Sequence, residues 1–551
     1  MFSRARWFVL LLTAVSSLQL FAAGPDATIT VDLSKTAGPY RPAWNYFGAD
    51  EPNYVYAPNG KKLLREFADL SPAPPYFRTH NLLTTGNGEA SLKWGSTNVY
   101  AEKPDGTPVY DWTITDRIFD TFKETGVRPL VEVGFMPEAL SAHPQPYRHD
   151  FPKGDVFTGW AYPPRDYDKW SALVTAWVEH LHQRYGNDVD NWLWEPWNEP
   201  DIGYWKGTPE EFFRLYDVTA AAIRKALPNA KIGGPDSTNP SGKKAGEFLS
   251  AFLEHCARGK NAATGGTGAP LDFIAFHAKG QPTTVDGHVR MNVAAQLQAV
   301  ERGMQIVASF PEFKNLPIIL GESDPEGCAA CKGPQNAYRN GPLYGVSVAE
   351  ATARTYELAA KNNVNLAGIV TWAFEFEDQP YFAGFRELAT NGIDKPVLNV
   401  FRMLGMLRGN WLQVSSSGAR PLDVILKDGI TASPDINAIA TRTGNELDIL
   451  VWNYHDDDVA TEPANVAIQI SDLPQKKLTV ERFLMDGSHS NAYAVWKKMG
   501  SPEKPTPAQQ AQLEKAGQLQ SVPITLSGAS STKSANFTLE RQGVTLLRVR
   551  W

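Results

Sequence analysis

The sequence predicts an α/β protein, a (β/α)8 TIM barrel with a C-terminal β-sandwich domain. Three observations lead there. Eight short apolar runs alternate with helical patterns between residues 44 and 408. Polar and unusual residues collect at the C-terminal ends of those runs, where such a barrel carries its active residues. After about residue 412 the texture changes to alternating strands joined by turn signals.

In chain order, residues 1–23 have the pattern of a secretory signal peptide. Arg4 and Arg6 give a basic start, Trp7 to Val15 is apolar, and Ala22-Ala23-Gly24 supplies small residues for cleavage. The apolar run falls short of the ~20 residues a membrane span needs. A secreted or periplasmic location is therefore expected, with no stable membrane insertion after cleavage. Residues 24–40 hold an early strand, Ala27–Leu33, expected to complete the sandwich. The barrel is placed at 41–411 and the sandwich at 412–551.

The eight barrel strands are read at Trp44–Gly48, Tyr76–His80, Pro129–Phe135, Trp192–Trp197, Ala230–Gly234, Asp272–His277, Pro317–Gly321 and Gly368–Phe374. Helical periodicity lies between them. Thr113–Thr125 puts Ile114, Ile118, Phe119 and Phe122 on one face, and Gly126 stops it. Asp166–Tyr185 spaces Tyr167, Trp170, Val174, Trp177 and Leu181 by three and four. Thr208-Pro209-Glu210-Glu211 is a capping box with proline in the first helical position. An open doubly wound sheet is the rival. It would be expected to carry a glycine-rich nucleotide turn after a strand, and the chain has none. Further on, Ile436–Thr443, Leu447–Tyr454, Leu478–Met485 and Val544–Val549 alternate as strands. Gly444-Asn445 reads as a hairpin turn, and Thr506–Ala516 as a helical insert.

Composition excludes several functions. A formal net charge of −7 without a Lys/Arg run argues against nucleic acid as partner. The ten His form no H-E-x-x-H or comparable cluster, so no metal or other cofactor is expected. No G-x-S-x-G elbow supports serine-based hydrolysis. Cys328 and Cys331 are read as a small loop disulfide and Cys256 as a buried free thiol. The 16 Trp and 19 Tyr divide between large aromatic cores and rings that stack on a ligand. Oligomeric state is not legible.

The chemistry-bearing residues sit at strand ends: Asp50 and Glu51, His80, Asn198 and Glu199, Asp236, His277, Glu322, Glu375 and Glu377. Two of these are the pair that glycoside hydrolysis needs. One carboxyl protonates the leaving oxygen while the other attacks the anomeric carbon or activates water. Glu199 ends the fourth run, in "WEPWNEPD", and Glu322 ends the seventh, in "PIILGESDPEG". Strands four and seven face each other obliquely across the mouth of an eight-fold ring. Trp197 and Pro200 are expected to give Glu199 the apolar surroundings that raise a carboxyl pKa. His277 is expected to donate to the ionised nucleophile, Asn198 to a sugar hydroxyl beside the cleaved bond, and Trp372 to floor the sugar ring. His80 is either a ligand contact or a satisfied core histidine. Glu195, four residues before Glu199, is read as a deeper structural acid, Trp170, Trp192 and Trp194 as core, and Asp201, Asp324 and Glu326 as loop acids.

These motifs resemble glycoside hydrolase family 39, the family of β-xylosidases and α-L-iduronidases. The likeness is carried by "WLWEPWNEPDIGYWKGTPEEFFRLYDVTAAAIRKALPNAKIGGP", "GADEPNY", "VEVGFMPEAL", "DFIAFHAKG", "GIDKPVLNVFRML" and "SHSNAYAVWKKMGSP". The resemblance implies a retaining enzyme with Glu199 as general acid/base and Glu322 as nucleophile. It also implies that Asn198, His80 and His277 contact substrate or catalytic groups, and that the β-sandwich packs on the barrel. The chain departs from the family where Gly321-Glu322-Ser323 replaces the usual Thr-Glu-Trp, where Asn81 follows His80 in place of the common Gly, and in the Asp324–Asn340 segment with its two Cys. These positions border the substrate mouth and bear on specificity. Arg386, after strand eight, is placed either to pair with a uronate carboxylate or to hold a loop through Glu387 or Glu377. The expected activity is a β-xylosidase releasing xylose from xylosides or xylo-oligosaccharides. The alternatives are α-L-iduronidase-like or arabinosidase-like specificity on the same machinery, or a non-catalytic carbohydrate-binding protein.

Overall fold

Eight parallel strands close into a barrel in the computed structural model, which describes residues 26–528 and 531–551. The expected signal segment, 1–23, lies outside them. In ring order the barrel strands are Tyr46–Ala49, Tyr76–Thr79, Arg128–Glu132, Leu193–Glu195, Lys231–Ser237, Phe273–Phe276, Pro317–Leu320 and Asn365–Thr371. Each pairs in parallel with the next in sequence, and the eighth returns to the first through Val370 opposite Tyr46. All eight apolar runs are barrel strands. The fourth is shorter than the sequence suggests, because the backbone turns away after Glu195 to present Asn198 and Glu199.

The helices follow their local signals. Thr113–Thr125 ends at Gly126, whose φ of 78° is left-handed backbone that a residue with a Cβ adopts at a cost. Tyr167–Tyr185 is capped by Asp166, whose side chain accepts from the amides of Asp168 and Lys169. Pro209–Ala226 opens on the Thr208–Glu211 capping box. Beneath the barrel mouth the core is aromatic: Phe47 stacks on Phe67 with ring centres 4.0 Å apart, and Phe77 meets Phe374 at 5.0 Å. Trp170, Trp177 and Trp194 are fully buried, as expected of core tryptophans.

The second domain is a nine-stranded sheet. The two layers of the expected sandwich are the two halves of this one curled sheet. Ala535 and Leu539, from the strand at one edge, share an apolar cluster with Leu547 and Val549 near the other edge. The early strand, Ala27–Pro39, is an interior strand, seventh of the nine. It is antiparallel to Asn410–Ser416 and parallel to Ala464–Ser471. Asp435–Thr443 and Glu446–Tyr454 form the hairpin read around Gly444-Asn445. The insert is a helix, Pro507–Gly517, capped by Thr506 and Gln509. It docks on the barrel, with Leu513 beside Phe382 and Ile393, and Asn399 Nδ2 donates to the Gly517 carbonyl at 2.6 Å. No described helix is long and apolar enough to cross a membrane.

Candidate active site

Arg78 organises the barrel mouth. It sits on strand two with no exposed surface, inside a ring of acids. Its Nε donates to Glu195 at 2.7 Å, Nη2 lies 2.9 Å from Glu132, and Nη2 also donates to Asn198 Oδ1 at 3.1 Å. Asp236 and Glu322 each approach within 3.5 Å. A buried guanidinium is tolerable only when paired, and several buried carboxylates are tolerable only around a cation. The group is therefore one electrostatic unit. Burial and the neighbouring Asp236 push the Glu195 carboxyl well above the usual range, against the opposing pull of Arg78. Glu195 is the deep structural acid its spacing implies.

Above this layer the strand-end residues converge. One oxygen of Glu199, one of Glu322 and a ring nitrogen of His277 all lie within 4.8 Å of one another. The two carboxylates, 123 residues apart in sequence, thus meet at the C-terminal rim. His277 Nδ1 is 2.9 Å from Glu199 Oε1 and 3.8 Å from Glu322 Oε1, while its Nε2 faces Asp236 at 3.5 Å. His277 is therefore chiefly the partner of Glu199 rather than of Glu322. The donors around Glu322 are Lys279, which binds Oε2 directly, then Arg78 at 3.5 Å and His80 at 3.6 Å. Glu199 stands at φ 41°, a left-handed conformation costly for a long side chain and concentrated at functional sites.

These neighbours decide protonation. Burial raises the Glu322 pKa, but Lys279, His277, His80 and Arg78 more than offset it and hold the group at about 2. Burial likewise raises Glu199, and Lys279 together with the His277 hydrogen bond brings it below its ordinary value. The apolar elevation expected from Trp197 and Pro200 is thus overridden by Lys279, which sequence spacing does not show, and by His277, which it assigns to the other acid. His277, which burial alone would lower, is raised to about 9 by Glu322, Asp236 and Glu199. At neutral pH the Glu199–His277 pair holds one proton, and that proton rests on the imidazole.

His80 lies against the site. Its Nδ1 is 3.2 Å from Asp50 and its Nε2 is 3.0 Å from Glu132, and its ring centre is 4.4 Å from that of Trp372. Trp372 donates its indole N–H to Asp50 at 3.0 Å. His80, Arg78 and Gly48 cover most of its face, leaving 2% of the residue exposed. Asn198 is buried. Its oxygen accepts from Arg78, and its amide nitrogen has no hydrogen-bond partner among the described residues. Of the other strand-end acids, Asp50 belongs to the site, binding His80, Trp372 and Lys93. Glu375 and Glu377 do not: they bond to the amides of Gly392 and Asn59. Arg78, Lys93, Glu132 and Lys279 are the residues that sequence reading passes over. A charged residue inside the apolar run "YFRTH" was the available signal for Arg78.

The neighbouring loop is held from below. Arg386 is fully buried, donates to the Trp372 carbonyl at 3.0 Å and to Glu326 Oε1 at 2.7 Å, and lies 3.5 Å from Asp324. It secures the loop after strand seven, so of the two expected roles the loop-holding one is observed, with different partners. Glu326 and Asp324 replace Glu387 and Glu377 as its partners. Asp324 also accepts the Trp372 amide, and Asp201 binds Thr238. Cys328 and Cys331 are joined in a disulfide, and Cys256 is a buried free thiol.

The Glu199, His277 and Glu322 atoms are spaced closely enough to surround a cation. The side-chain ammonium of Lys279 already occupies that role, touching Glu322 and lying 4.0 Å from Glu199. The arrangement provides an ionised carboxylate beside a proton-carrying carboxylate–imidazole pair. Comparison with known families agrees: residues 27–528 match the family model of glycosyl hydrolases family 39.

The chain belongs to glycosyl hydrolases family 39. It is a glycoside hydrolase acting on carbohydrate. A beta-xylosidase of Caldicellulosiruptor saccharolyticus is 26% identical over 429 residues, covering 75% of this chain and 78% of the relative. An alpha-L-iduronidase of Mus musculus is 28% identical over 456 residues, covering 77% and 66%. Among solved structures, a monomeric beta-xylosidase from Caulobacter crescentus superposes with a TM-score of 0.72 at 22% identity, over 95% of this chain and 99% of that one. At that identity the likeness speaks for the fold. The family-39 protein is thus similar to relatives that carry two different activity names.

Proposed function

We propose that this family-39 hydrolase is a retaining β-xylosidase that works by double displacement, with Glu322 as nucleophile and Glu199 as general acid/base. The observation that carries the reading is the meeting of Glu199 and Glu322 oxygens within 4.8 Å. That spacing supports retention, for which the two carboxyl groups stand ~5–5.5 Å apart, over inversion, which needs room for water at ~6.5–9.5 Å.

In the first step Glu322, ionised by its cationic neighbours, attacks the anomeric carbon. The bond to the leaving oxygen breaks as that oxygen takes a proton from Glu199, which has first received it from His277 across their 2.9 Å contact, so that Glu199 is left ionised and His277 neutral. In the second step Glu199, now a base, takes a proton from water. The water oxygen attacks the anomeric carbon, and Glu322 leaves as carboxylate. The unpartnered amide of Asn198 is free to donate to the sugar hydroxyl beside the cleaved bond, a bond that strengthens in an oxocarbenium-like transition state. His80, which lines a small cavity with Asp50 and Lys93, is the wall against which the sugar ring rests; Trp372, expected as the floor, has its face already covered by His80, Arg78 and Gly48. The resemblance to family beta-xylosidases supports xylose as the sugar, and the N-terminal pattern supports export.

A panel of nitrophenyl glycosides tests this reading. Nitrophenyl xyloside is turned over with retention of anomeric configuration, seen by NMR. Glu322→Ala abolishes turnover. Glu199→Ala loses about 10²–10⁴-fold, most on substrates with poor leaving groups. Binding without turnover of any glycoside would instead leave a carbohydrate-binding protein.

One observation favours a second specificity. Lys279 places an ammonium between the two acids, where the carboxylate of a uronic acid glycon would find a partner. The resemblance to alpha-L-iduronidases points the same way. An iduronide in the same panel, cleaved in preference to the xyloside, would establish it.

A further inference from the structure

Strand five ends on a break in register. Pro235 pairs with Ala275 and Ser237 with Phe276, so Asp236 is an extra residue between them. Its φ of 54° is left-handed, a conformation costly for a residue with a Cβ and concentrated at functional sites. An extra residue of this kind re-aims one side chain. Here it points the Asp236 carboxylate at Arg78 and His277, with no surface left exposed. The two catalytic steps make no use of this acid.

Asp236 is nevertheless tied to both members of the proton-carrying pair. Its main-chain carbonyl accepts the Glu199 amide at 2.9 Å. Its Oδ1 lies 3.5 Å from His277 Nε2 and 3.5 Å from Arg78 Nη2. His277 Nδ1 in turn meets Glu199 at 2.9 Å. The three residues close a triangle over three strand ends. Neither His277 Nε2 nor either Asp236 oxygen closes a hydrogen bond among the described residues. Gly321 makes the room: a Cβ there would stand 2.0 Å from Asp236 Oδ1 and 3.1 Å from the imidazole. Gly321 is also a position where the chain departs from the family pattern, so the space and the acid that fills it occur together.

The partner of one imidazole nitrogen sets the state of the other. Cationic His277 carries a proton on each. When Nδ1 passes its proton to Glu199, the remaining N–H is on Nε2, facing Asp236. That tautomer leaves Nδ1 bare and aimed at Glu199, ready to receive the proton that Glu199 takes from water. A neutral ring protonated on Nδ1 would block that return, as a misplaced tautomer blocks a catalytic histidine elsewhere. We infer that Asp236 is a positioning residue for the acid/base, holding His277 in the tautomer that exchanges a proton with Glu199. This rests on the glycosidase reading above and deepens it. Glu199 and Glu322 approach the ring on the Nδ1 side, and Lys279 faces those two acids. Around Asp236 itself stand Arg78, Glu132 and Glu195. Against burial, Glu322, Asp236 and Glu199 together raise the imidazole to about 9.

The test compares the full-length wild type with Asp236→Asn, using the sugar that the nitrophenyl panel identifies. The methyl glycoside has a leaving group that needs protonation, and the nitrophenyl glycoside has one that needs little. Asp236→Asn is expected to move the alkaline limb of kcat/KM on the methyl glycoside down by about one pH unit. The ratio of methyl to nitrophenyl kcat/KM at the wild-type limb falls with it. A merely structural role, as a counterion of Arg78, would lower both substrates alike and leave the limb in place. A second measurement needs no substitution of Asp236. Imidazole nitrogen NMR of the histidine-labelled wild type, above the alkaline limb, is expected to show neutral His277 protonated on Nε2, with its signals identified by their loss in His277→Asn. This spectrum decides the matter even where Asp236→Asn does not fold. An unmoved limb, or a neutral ring protonated on Nδ1, would overturn the role of Asp236. Absence of turnover on every glycoside would overturn the glycosidase reading itself, so the two failures are distinct.

Discussion

At the scale of single residues, chemistry here is set by which cation touches which carboxylate. His277 is raised to about 9, above its ordinary 6.5, by the acids around it. The proton shared with Glu199 is present below that value and lost above it. The alkaline limb of the kcat/KM profile is therefore expected near pH 9, with activity falling as pH rises. His277→Asn should bring that limb down, and a pH–rate series with a poor leaving group reads it. Arg78 gives a second expectation. Removing it as Arg78→Met leaves Glu132, Glu195 and Asp236 buried without their cation, a change that costs about 3–5 kcal/mol. Urea denaturation should show it. Of this layer the sequence displayed Glu199, Glu322, Asn198, His80, His277 and Trp372, because they stand at strand ends. It did not display Lys279 or Lys93. Their roles follow from where long flexible side chains reach, and no spacing rule encodes that.

At the scale of elements, strand seven shows how a backbone places an acid. Gly321 directly precedes Glu322, and a Cβ built there would stand 2.0 Å from Asp236 Oδ1 and 3.1 Å from the His277 ring. Gly321→Ala must push the strand end outward and move Glu322 off its partners. A displacement of about 1 Å can cost ~10²-fold in rate. We expect such a loss in kcat with near-UV circular dichroism unchanged. The capping box at Thr208 is a contrasting case. It positions the helix after strand four through Glu211 and touches neither Glu199 nor Glu322, so Thr208→Ala should cost about 1 kcal/mol of stability. The helices were readable almost to the residue, because caps and glycine stops are local. Strand ends were less so: strand four stops at Glu195, two residues short of Trp197, because the turn that presents Asn198 and Glu199 begins inside the apolar run.

At the scale of the whole molecule, a buried polar junction joins barrel to sheet. Arg354, on the barrel helix Pro342–Asn362, binds Glu350 at 2.9 Å and Asp435 of the sheet at 2.8 Å. Trp452 donates to Glu350 at 2.5 Å and to Asp435 at 3.2 Å. Burial, followed by Asp435, pushes the Glu350 carboxyl well up, against Arg354. Arg354→Met therefore strands two acids at the interface and should lower the melting temperature, with calorimetry expected to resolve two transitions in the variant and one in the wild type. Stability also depends on pH through the site. Glu322, held at about 2 against an ordinary 4.5, contributes stability that is present above 4.5 and lost as pH falls through 2. His277 contributes stability that is present below 6.5 and lost as pH rises through about 9.

Taken alone, the sequence determined the barrel, the second β domain, the caps and the pair of acids. Hydrophobic periodicity and capping are short-range, and a closed barrel brings the ends of its strands to one rim. Only the tertiary structure decided which histidine serves which acid, that Arg78 binds the barrel interior, and that Arg386 holds a loop. Those outcomes depend on charges from distant segments meeting in a space from which water is excluded. There a few tenths of an ångström decide the partner.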